Sequence, residues 1–238
     1  MFRSSLVLAS SLLAFFVWAP LTIVAHNPPV LDMQGNDLQS GMDYHVMVAT
    51  LGSGGGGLSL TSQHNTSSPY VMQTRKDSDG KRLRFNPASS SMDGIIRQPL
   101  PRSWATAEGM IGENPSGKSV IRESSDLNIR FSSIPSVWKL GEPDELGMRY
   151  VMIGGKVGHP GRSTVNNWFK IEKVRYGKHT YKMMYCPSVC GSCKTACGEL
   201  GISYQNGTRY LTLSSNHDHP LVDNHYPLVV MFMREENH

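Results

Sequence analysis

Apolar positions in this chain recur at the strand period, and helical periodicity is scarce. Leu127, Ile129 and Phe131 alternate with Asn128 and Arg130, the two-residue period of a strand with one buried face. Alternating or β-branched apolar runs recur at 44–49, 57–61, 70–73, 81–85, 149–153, 168–172, 180–185, 200–204, 209–213 and 228–232. Gly, Pro, Asn and Asp punctuate the gaps between them, as turn residues do. Asn206-Gly207 stands between two such runs, and that dipeptide suits a two-residue hairpin turn. About a dozen short strands in one domain predict an all-β barrel or sandwich. The pattern alone does not choose between those two.

The first 25 residues follow another pattern. Arg3 precedes an apolar run from Leu6 to Ala25, broken by Pro20, and small Ala25 meets polar His26. A basic start, an apolar middle and a small residue at the end predict a secretory signal peptide over 1–25. The run is about long enough to span a bilayer, but Pro20 and Ala25 favour cleavage over retention as an anchor. No other stretch is apolar enough to cross, so no membrane association is expected after removal. Residues 26–238 then form one domain of about 213 residues, enough for a real core.

The formal charge of +4 falls to +3 without Arg3, and charges of both signs are interspersed, which gives no reason to expect a nucleic-acid partner. Two sequons, at Asn65 and Asn206, fit a secreted glycoprotein.

All four cysteines lie close together, at Cys186, Cys190, Cys193 and Cys197. So short a stretch can hardly wrap a tetrahedral zinc ion with all four thiolates, and a secretory route favours oxidation. Cys190-x-x-Cys193 lacks the βαβ setting of a redox motif. Two structural disulfides are therefore expected, and three pairings remain open.

Several stretches, in order and at fitting spacing, resemble the plant Kunitz (soybean-trypsin-inhibitor-like, miraculin-like) family. They are Val30-Leu-Asp-Met-Gln-Gly-Asn-Asp-Leu38 followed by Tyr44-His-Val46, Gly54 to Leu58, and Asn167 to Lys173. Further matches are Tyr181 through Cys190, Leu200-Gly-Ile-Ser, and the run 228–232. The resemblance implies a β-trefoil of twelve short strands, with a six-stranded barrel and a hairpin cap. It also implies pairing of Cys186 with Cys197 and of Cys190 with Cys193. Its members are not enzymes. They present a substrate-like bond, on a loop between the fourth and fifth strands, to a target protease that is usually serine and sometimes cysteine. Some members do not inhibit at all.

In this chain the corresponding loop spans about 86–120. Lys118-Ser119 falls closest to the family's reactive bond; Arg102-Ser103, approached through Pro99 and Pro101, is second, and Arg97 is third. Three departures weigh against tight inhibition. Residues 92–117 read as an insertion that could loosen the loop, no cysteine precedes Cys186 to staple it, and Ser40 stands where the family has a longer Asn brace. Trp104 and Met110 in the insertion are either partner anchors or part of a local mini-core.

Rival readings are weaker. His217-x-His219 resembles a metal pair but lies in a polar stretch that reads as a loop. Gly54 to Gly57 lacks the frame of a phosphate cradle and reads as a flexible turn. The sequence therefore predicts a monomeric, secreted, extracellular or vacuolar inhibitor of trypsin-like serine proteases, with no metal or cofactor. The alternative is a non-inhibitory, miraculin-like defence, storage or binding protein on the same scaffold.

Overall fold

Alternation along the sequence becomes burial in one core. Leu127, Ile129 and Phe131 are buried, as are Tyr44 and Val46, Leu83 and Phe85, and Tyr181, Met183 and Tyr185. A computed structural model of the chain describes residues 27–49, 55–61, 68–88, 118–157, 159–213 and 225–235. Six strands form a ring: β1 (Tyr44–Val48), β4 (Leu83–Pro87), β5 (Leu127–Phe131), β8 (Lys170–Lys173), β9 (Tyr181–Tyr185) and β13 (Val229–Arg234). β13 pairs with β1, β1 with β4, β4 with β5, β8 with β9, and β9 with β13, all antiparallel. The remaining gap, between β5 and β8, is closed where Leu127 and Phe169 exchange two backbone hydrogen bonds of 2.9 Å. A closed ring leaves no unpaired sheet edge.

Three hairpins cover this barrel: β2 (Gly55–Thr61) with β3 (Tyr70–Arg75), β6 (Val137–Leu140) with β7 (Arg149–Gly155), and β10 (Gly198–Gln205) with β11 (Thr208–Leu213). β3, β7 and β11 pair with one another around a common centre. There Tyr70, Tyr150 and Tyr210 meet edge-on at 5.4 to 5.9 Å between ring centres. Their chain neighbours Val71, Val151 and Leu211 are fully buried. Barrel and three hairpins together are a β-trefoil. The expected twelve strands are present among the described residues, and with them a further short one, β12 (His225–Pro227), which pairs with β10 before Leu228 leads into β13.

Two strands escaped the sequence pattern, β12 and the four-residue β6 beside Pro135. The glycine run also differs from expectation. Residues 55–57 open β2 and are not a flexible turn. A Cβ on Gly56 would lie 2.0 Å from the Arg75 carbonyl oxygen, and one on Gly57 would lie 1.9 Å from that of Asp79. Glycine is required there because a second stretch of backbone crosses the strand at contact distance. Both disulfides are formed, Cys186 with Cys197 and Cys190 with Cys193.

Candidate functional site

The N-terminal signature folds around one buried carboxylate. Asp32 is 1 % exposed, and its Oδ1 accepts the backbone N–H of Gln34 at 3.0 Å and of Asn36 at 2.8 Å. The Asn36 side-chain amide also reaches this carboxylate. Gly35 takes a φ of 93° at the tip, a conformation that favours glycine. The result is a tight Asx-type turn that returns the chain so that Leu38 enters the core.

Val30, Leu38 and Ile121 then form a closed cycle of backbone hydrogen bonds. Leu38 N–H donates to Val30, Ile121 to Leu38, and Val30 to Ile121, at 2.8 to 2.9 Å. All three side chains are fully buried. Two tyrosine hydroxyls brace the same frame from the barrel: Leu31 N–H donates to Tyr181 and Gln39 N–H to Tyr44, each at 2.9 Å. Burial pushes both phenols above their ordinary pKa, so they stay protonated.

This frame holds the returning end of the candidate loop. Gln39 and Val120 form a β-bridge. Ser40 N–H donates to the Ser119 carbonyl at 2.8 Å, and Ser119 N–H donates to the Ser40 hydroxyl at 3.0 Å. Both backbone groups of Ser119 are thus held by one residue. The short reach of Ser40 is enough, because the two backbones already run side by side. Lys118, next along, is half-buried, with its Nζ 2.7 Å from Met42 Sδ, a weak acceptor for an ammonium.

The outgoing end is fixed as well. β4 and β5 stay paired through Pro87 and Leu127, and Ala88 N–H donates to the Asp126 carbonyl at 2.8 Å. The Asp126 carboxylate in turn accepts the Ser188 N–H at 3.1 Å and its hydroxyl at 2.5 Å. The disulfide-bonded segment therefore supports the loop's base, although no cysteine lies in the loop. Tyr181 and Asp126 gave no sign of this role in the sequence, because their partners are distant in the chain. Arg97, Arg102, Ser103, Trp104 and Met110, and with them residues 92–117, lie outside the described residues, as do Asn65, His217 and His219.

These features define a β-trefoil in which both ends of the segment between β4 and β5 are held by backbone hydrogen bonds. The family model described as trypsin and protease inhibitor of the legume Kunitz type matches residues 30–101 and 110–232. The chain belongs to this family, which is one of inhibitors. It is 38% identical over 226 residues to miraculin from Synsepalum dulcificum, covering 85% of this chain and 90% of that one. It is 32% identical over 234 residues to Kunitz trypsin inhibitor 5 from Arabidopsis thaliana, covering 97% and 98%. Among solved structures, a Kunitz-type cysteine protease inhibitor from potato superposes with a TM-score of 0.62 at 27% identity, covering 90% and 100%.

Proposed function

We propose that this chain is a secreted inhibitor of trypsin-like serine endopeptidases, acting as a monomer through the segment between β4 and β5. The observation that carries the reading is Ser119, whose N–H and C=O are both taken up by Ser40 on a buried frame. A protease cleft binds an extended, substrate-like backbone. A segment already fixed in one shape loses little conformational freedom on entering it. Lys118 is the residue assigned to the specificity pocket, with Ser119 following the targeted bond. Exchanging a sulfur contact for a pocket carboxylate favours Lys118 leaving Met42. Lys118 also adjoins the fixed frame and lies in the matched part of the family model, whereas Arg102 and Ser103 fall where the match is interrupted. Secretion is inferred from residues 1–25 and from the two disulfides, which persist in oxidising compartments.

The test is titration of trypsin with the oxidised mature protein, followed by sequencing of any slowly cleaved bond. Saturable inhibition with cleavage after Lys118 is expected. Lys118→Ala should weaken binding at least about 30-fold, the scale of a central interface residue. Cleavage after Arg102 or Arg97 would move the assignment. No inhibition by folded, disulfide-intact protein would end the serine-protease reading, and a cysteine protease is then titrated, as the potato relative suggests. Miraculin and a 21 kDa seed protein from Theobroma cacao, 37% identical, bear names that specify no protease. They favour the second reading, a binding or storage protein on the same scaffold, if both titrations fail.

A further inference from the structure

The β10–β11 hairpin ends in a feature that inhibition does not use. β10 and β11 stay paired to Gln205 opposite Thr208. The two residues between them, Asn206 at φ 47° and Gly207 at φ 79°, both take the left-handed conformation, which makes a type I′ turn. Gln205 is tied to the Tyr150 hydroxyl at 2.8 Å, so the hairpin end is anchored to the cap. Asn206-Gly207-Thr208 is an acceptor sequence for N-linked glycan. Asn206 is exposed, and its side-chain amide makes no hydrogen bond among the described residues.

Beside this turn lies an open groove of about 810 Å³, lined by Met72, Arg75, Lys76, Asp77, Tyr204 and Arg209 among others. Tyr204 precedes Asn206 by two positions and is 51% exposed, leaving a broad aromatic face in water. We propose that Asn206 carries an N-linked glycan whose first sugars lie in this groove, with the proximal N-acetylglucosamine against the Tyr204 ring. The C–H face of a pyranose is apolar and matches an aromatic face. Its hydroxyls and acetamide meet donors on Arg75 and Lys76 and acceptors on Asp77. The glycosidic tether makes docking intramolecular, so a contact too weak to capture free sugar is populated. The rigid turn fixes the direction in which the glycan leaves the chain.

The proposal rests on the secretory reading of residues 1–25 but is independent of protease binding. The full chain is expressed in plant cells, and the peptide containing Asn206 is weighed before and after endoglycosidase. A glycan at Asn206 that vanishes in Thr208→Ala is expected. An unmodified Asn206 in the recovered protein overturns the proposal, whether or not residues 1–25 have been removed. Trypsin titration of the same sample judges the inhibitor reading separately. Tyr204→Ala should then lower the Tm of the glycosylated protein by about 2–4 °C, the scale of one lost surface contact in a domain of this size. It should have little effect after deglycosylation. Equal effects in both states overturn the placement of the sugar on Tyr204.

Discussion

Asp32 and Ser40 show how single side chains set the footing of the loop. Asp32 takes up two backbone N–H groups of the turn, and Ser40 takes up one more from Ser119. Ser40→Ala removes the acceptor but leaves the backbone bond from Ser40 to Ser119. It should cost about 1 kcal/mol of stability, read by chemical denaturation, and should weaken trypsin binding with the fold intact. Unchanged binding would show that the backbone pair alone fixes Ser119. Asp32, Gly35 and Ser40 were legible in the sequence because their partners are local or lie on the family pattern. Tyr181 was not: its hydroxyl serves Leu31 from 150 residues away, and no local pattern reports a contact of that range. The same reach hid the path from Ser188 through Asp126 to Ala88.

At the scale of elements, alternation marked the strands because each has one face in the core. It failed for β6, where Val137 and Trp138 are adjacent and both buried, which breaks the two-residue period. It failed for the glycines at 55–57, since a residue without a side chain carries no pattern. Their role follows from crossing backbone, not from flexibility. Gly56→Ala should therefore destabilise the protein by about 1–3 kcal/mol, the cost of overpacking a fixed site. A shift in denaturation midpoint without change in slope would measure it. A neutral effect would mean that the Arg75 to Ser78 turn yields readily. The Asn206-Gly207 turn formed as its composition indicated, because both residues tolerate positive φ.

At the scale of the molecule, the pattern could not distinguish a barrel from a sandwich, since both need the same alternating strands. Closure is settled by two long-range events, the bridge between Leu127 and Phe169 and the insertion of β13 between β1 and β9. The threefold cap had left a trace, the repeated Tyr-Val-Met at 70–72 and 150–152, which places two of the three central tyrosines.

The position of β13 governs when this protein can fold. His45 in β1 and Glu235 beyond β13 lie 190 residues apart in sequence and 2.9 Å apart in space. During synthesis the first barrel strand is made long before its neighbour β13. Such non-local closure is slow, and it exposes apolar strands while it waits. A nascent chain halted before residue 225 should remain sensitive to protease, and protection should arise only when 229–234 becomes available. Maturation is thus timed by the arrival of β13, and the emerging chain depends on protection from aggregation until then.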